Sequence, residues 1–164
     1  MAVVSPEQME DAWKFVGGCS KDEVLALQQR CGRFQEELTC FVLGFTSDVS
    51  SDALGLALWV HLVLMQAFQR NSSKLARVKP AKIERAWRQN TMLFNAIRIK
   101  PDVDPYELLI ELEEAEPAVI QYVVDALTES DPDDLIAMSE QDRWHIMQVL
   151  KTVSDCLHGA SRVQ

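Results

Sequence analysis

With 164 residues, 48% of them apolar and 25% charged, the chain is long enough to bury a core and too apolar to stay disordered. Its formal net charge of −9 and pI near 4.8 weigh against general affinity for a phosphate backbone. Cys19, Cys31, Cys40 and Cys156 form no C-x-x-C pair, and no signal peptide or arginine-rich presequence is legible, so reduced thiols and a cytoplasmic setting are expected.

Helix starts dominate the local signals. Ser5-Pro6-Glu7-Gln8 reads as a capping box with proline at the first helical position, and Gly17-Gly18 ends the helix it opens. Ser20-Lys21-Asp22-Glu23 is a second box. Behind it, Val24, Leu27, Cys31, Phe34, Leu38, Phe41 and Phe45 recur three and four apart, which predicts one helix of about 25 residues with a single apolar stripe. Gly32 weakens that helix by about 1 kcal/mol relative to alanine.

After a turn at 47–52, the stretch 53–69 carries no formal charge. As a helix it is about 25 Å long, short of a ~30 Å hydrocarbon layer, and it contains His61 and Gln66, so a buried central helix is expected and not a membrane span. Its seam is Leu54, Leu58, His61, Met65 and Phe68, and this helix and the preceding one are expected to form an antiparallel core hairpin. Leu38, Phe41, Leu58, Leu62 and Phe68 are the predicted core, and Trp13, Trp59, Trp87 and Trp144 fall on apolar faces.

Pro80 opens a helix with Ile83, Trp87, Asn90, Phe94 and Ile97 on its inner face. Asp104-Pro105 caps the next. Pro117 must interrupt that one, since it lacks an N–H and disfavours the α conformation at Glu116, giving helices over 105–115 and 117–129. Asp131-Pro132 breaks the chain again, Ser139 caps the last helix, and Gly159 is its expected stop. Strand-period alternation and internal repeats are absent. The expectation is all-α: a single-domain irregular bundle of six or seven helices over residues 1–164.

Chemistry-bearing motifs are missing. There is no G-x-S-x-G, Walker loop, G-x-G-x-x-G or H-E-x-x-H, so no catalytic residue, cofactor or metal ligand is assigned, and the reading leans against an enzyme. Asp142 with His145, and Asp155 with His158, read as surface pairs on one helix. They lie about 220° apart and cannot converge on one ion. His61, inside an apolar seam, is expected to find a hydrogen-bond partner on a neighbouring helix. A metal- or small-molecule-binding bundle centred on His61 is the weakest of the functional alternatives.

Charge distribution is the informative feature. Residues 70–100 hold nine basic side chains and one acidic, whereas 1–69 hold four and nine and 101–164 hold three and fifteen. The candidate binding residues are therefore Lys74, Arg77, Lys82, Arg85 and Arg88. The preferred account is internal complementarity, with Lys82, Arg85 and Arg88 facing Glu107, Glu111 and Glu114 in folding or self-association. An anionic partner, either an acidic protein surface or nucleic acid, comes second, and attraction to a membrane surface third. The expected function is a non-enzymatic helical interaction or regulatory module, self-associating or binding a protein partner. A nucleic-acid-binding protein using 70–100 is the alternative.

Overall fold

A computed structural model describes residues 3–72, 74–129 and 138–162. Every regular element among them is an α-helix: α1 Pro6–Gly17, α2 Lys21–Phe34, α3 Glu36–Phe45, α4 Ser51–Asn71, α5 Pro80–Arg98, α6 Pro105–Leu112, α7 Pro117–Thr128 and α8 Glu140–Arg162. The all-α expectation holds; the helix count is eight among the described residues, not six or seven.

Local sequence explains most of the boundaries. Ser5 Oγ accepts the Gln8 N–H at 3.2 Å while Gln8 Oε1 accepts the Ser5 N–H at 2.8 Å, so the box at α1 closes in both directions. Ser20, Ser50, Asp104 and Ser139 each accept an N–H from the first turn of the helix that follows. Prolines take the first position of α5, α6 and α7, where their missing N–H costs nothing. The expected break at Asp131-Pro132 lies outside the described residues.

The eighth helix comes from a break within the predicted 25-residue helix. Gln35 leaves the helical conformation, at φ −123° and ψ 59°, and separates α2 from α3. Its side chain is buried and binds backbone of the 74–79 segment, so a tertiary interaction replaces helix continuity. The stripe is divided accordingly: Leu27, Cys31, Leu38 and Phe41 are buried, Val24 and Phe34 partly so, and Phe45 is exposed.

The centre of the bundle differs from the expected hairpin. α4 packs chiefly on α1 and α8, and α8 packs on α5 and α7 as well. Residues 61–68 of α4 are buried without interruption, as a helix surrounded on several sides requires. α4 is also the one described helix long and apolar enough to cross a membrane by length and composition. Leu38, Phe41, Leu62 and Phe68 are buried as expected, but Leu58 is half-buried. Trp144 is buried and Trp59 and Trp87 are partly covered, whereas Trp13 is 47% exposed and not a core residue.

α8 runs through Gly159 to Arg162. The glycine does not stop it because the last turn is held by tertiary packing: Ala160 is buried and its carbonyl accepts the Ala76 N–H at 3.3 Å. One helical glycine costs about 1 kcal/mol, which such packing outweighs.

Candidate binding surface

The connection from α4 to α5 is an extended segment fixed on both sides. Gln35 donates Nε2–H to the Ala76 carbonyl at 2.8 Å and accepts the Val78 N–H on Oε1 at 2.9 Å. On the other flank, Ala76 donates its N–H to Ala160 of α8. Leu75 and Val78 turn inward and are buried, so Lys74, Arg77 and Lys79 point to solvent. This alternation presents cations from a segment that has no helix or strand of its own.

α5 continues the basic surface. Lys82, Arg85 and Arg88 are all exposed, while Ile83, Asn90, Phe94 and Ile97 of the same helix are buried. Together with the 74–79 segment and the end of α8, α5 encloses a cleft of about 400 Å³. Arg77, Lys79, Lys82 and Arg85 stand round it, and Val78, Ala86, Cys156, Gly159 and Ala160 supply an apolar, small-residue lining. Gly159 is exposed, with open space where its side chain would stand.

Of the five residues singled out by charge, the fold brings Arg77, Lys82 and Arg85 to the cleft. Lys74 and Arg88 are exposed outside it. Arg88 lies about 120° round α5 from Lys82 and pairs instead with Glu84 one turn back. Lys79 belongs to the site and was passed over in the sequence. Its signal was its position, immediately before Pro80 where an acidic or hydroxyl cap is usual.

The start of α5 reverses the usual helix electrostatics. Lys79 is the N-cap, no side chain caps the helix, and its first turn carries no acid. The N–H groups at a helix start carry a partial positive charge that favours anions. Here Lys79, Lys82 and Arg85 add cations to that end. Lys79 and Lys82, within the first turn, are each disfavoured there by about 0.3–1 kcal/mol unless an anion arrives.

Within the chain, the charge complementarity expected of this segment is not formed. α5 and α6 touch, but among the described residues no ion pair joins Lys82, Arg85 or Arg88 to Glu107, Glu111 or Glu114. The buried ion pairing lies elsewhere. Lys151 of α8 reaches Glu113 at 2.9 Å and Asp155 at 2.9 Å, and Asn90 donates Nδ2–H to Asp155 at 2.9 Å. Burial opposes the Lys151 charge, yet Asp155 and Glu113 outweigh it and hold its pKa above the ordinary lysine value. The one carboxylate lining the basic cleft, Asp155, is thereby engaged from behind. Burial pushes the Cys156 thiol up to about 12, so it meets the cleft as a neutral thiol.

The paired histidines also depart from the sequence expectation. His158 bonds Glu116, the N-cap residue of α7, through Nδ1 at 2.8 Å, and the other Glu116 oxygen accepts the Val4 N–H at 2.9 Å. His145 reaches the Phe45 carbonyl. Both bonds tie helices together and neither joins the aspartate three residues earlier. Among the described residues no group of three or more His, Cys, Asp or Glu side chains gathers as a metal site.

No protein-family model, curated protein or solved structure matches this chain.

Proposed function

We propose that this chain is a non-enzymatic interaction module that receives an acidic protein surface on the cleft between the 74–79 segment, α5 and the end of α8. The observation that carries this reading is the set of exposed cations without ion-pair partners among the described residues, Arg77, Lys79, Lys82 and Arg85, at an uncapped helix start. Charge of one sign gathered on a cleft steers an oppositely charged partner and selects against others. The apolar lining suits a partner that presents an aliphatic or aromatic side chain between its carboxylates. An extended phosphate backbone suits it less, because a chain of net charge −9 repels it.

A second copy of the chain is the alternative occupant, favoured by one observation. On α6, Glu107 and Glu111 are exposed one turn apart, and Met92 of α5 and Ile99 at its C-cap are 75% and 81% exposed. These exposed carboxylates and apolar side chains are of the kind that another copy's cleft would receive.

Binding of a fluorescent Asp/Glu-rich peptide with a central leucine, compared with single-stranded RNA, tests the proposal. The expected result is salt-sensitive peptide binding, weakened at least about tenfold by reversing Arg77, Lys82 and Arg85 to glutamate. Sedimentation of the protein alone identifies the alternative: an oligomer lost on the same reversal makes the second copy the acidic partner. Absence of both peptide binding and self-association, or RNA bound in preference to peptide, overturns the reading.

A further inference from the structure

One small cavity gathers most of the polar atoms that the fold leaves without a partner. Four buried side-chain nitrogen or oxygen atoms among the described residues make no hydrogen bond: Thr39 Oγ1, both ring nitrogens of His61, and Ser154 Oγ. Three of them belong to Thr39 and His61, and both residues line a cavity of about 180 Å³. It lies where α2 gives way to α3 opposite α4. α2 contributes Gln28 and Cys31, α3 Thr39 and Leu43, and α4 Leu58, His61 and Leu62.

Packing alone does not account for these groups. A buried donor or acceptor without a partner loses its hydration and gains nothing in return, so such groups are few in native proteins. Leucine at 61 and valine at 39 have similar bulk and leave no unmet group. His61 lies within the uninterrupted buried run 61–68 and is only 5% exposed, the setting where an unpartnered imidazole is most costly.

We infer that this cavity binds a small uncharged molecule carrying a hydrogen-bond donor and acceptor, an amide or an alcohol, on a short apolar body. A neutral imidazole offers one N–H and one acceptor nitrogen, and the threonine hydroxyl offers both functions. The three leucines match an alkyl group. No lysine, arginine, aspartate or glutamate lines the cavity, so an ion entering it meets no counter-charge. Burial keeps His61 in its neutral form, with its pKa pushed down to about 4. The two soft donors present, His61 and Cys31, are fewer than a closed metal site takes. A cavity of roughly 150 Å³ holds a benzene-sized molecule, so the volume fits a ligand of a few heavy atoms. Both ring nitrogens and the Thr39 hydroxyl oxygen are covered by protein atoms in the structure, so binding requires these side chains to rotate toward the cavity.

An NMR titration with butanamide as probe and butanoate as its charged counterpart tests this inference. Saturable shifts of the His61 ring and Thr39 methyl signals are expected with butanamide, with butanoate weaker by at least about tenfold. His61→Leu and Thr39→Val should each weaken butanamide binding about tenfold, the equivalent of one lost hydrogen bond. Both should melt at or above the wild-type temperature, which separates lost binding from lost folding. No saturable shift, equal binding of butanoate, or unchanged binding by His61→Leu overturns the inference, whichever way the basic cleft behaves.

Discussion

Gln35 and Val78 are 43 residues apart, and the Gln35 carboxamide oxygen accepts the Val78 N–H at 2.9 Å. With the reciprocal bond to Ala76, this side chain acts as a local substitute for a β-ladder, fixing the segment that carries Arg77. The same residue breaks the helix expected over 20–45. The break and the basic surface therefore have one cause, the burial of a glutamine amide between two otherwise unsatisfied backbone groups.

Gln35→Ala should leave the Val78 N–H and Ala76 carbonyl unpaired. The expected loss is about 1–3 kcal/mol of unfolding free energy in urea. Hydrogen exchange should accelerate at Val78 before the core of α4 opens, because local release needs no global unfolding. Unchanged exchange at Val78 would show that Leu75 and Val78 packing and the Ala76–Ala160 bond hold the segment without Gln35.

Lys151 sits between Glu113 and Asp155, with Glu113 almost fully buried. Lys151→Met should cost about 3–5 kcal/mol, since removing one partner strands buried carboxylate charge. Adding Glu113→Gln to that variant should recover part of the loss, because groups in one network are not additive. Equilibrium denaturation of the single and double variants checks both statements.

His61 makes stability depend on pH in a defined direction. Its folded pKa of about 4 lies below the unfolded value of about 6.5, so the unfolded chain binds the extra proton first. The contribution is fully present above about pH 6.5, declines as pH falls towards 4, and levels off below that. The limiting slope is about 1.4 kcal/mol per pH unit. Denaturation curves between pH 4 and 7 should show a shallower decline for His61→Leu than for the wild type.

Core truncations should rank by burial. Leu38→Ala, Leu62→Ala and Phe68→Ala remove fully enclosed side chains and should each cost about 2–5 kcal/mol. Leu58→Ala should cost less than any of them, because Leu58 is half-buried beside the His61 cavity. A loss at Leu58 equal to that at Leu62 would mean the cavity is closed in solution.

What the sequence determined is what short range decides. Ser5, Ser20, Asp104 and Ser139 cap helices because the groups they satisfy lie two or three residues on, and Pro80, Pro105 and Pro117 mark helix starts through their own missing N–H. The inner face of α5 was largely legible, since 3.6-residue periodicity is a local property, but in the first half of α4 the enclosed positions are Ala53, Ala57 and Val60 and not Leu54 and Leu58. The excess of cations in 70–100 could be counted, but not their partners. Only the tertiary structure decided that Arg77, Lys82 and Arg85 share a cleft with Lys79, that Arg88 turns back to Glu84, and that Glu113 serves Lys151. It also decided that Gln35 ends a helix whose apolar stripe continues past it, that α8 runs through Gly159, and that His61 is left without a hydrogen-bond partner among the described residues. The physical reason is common to all of these. Each depends on a group dozens of residues away, or on the lack of one, and a long-range pairing leaves no period, cap or spacing in the chain that makes it.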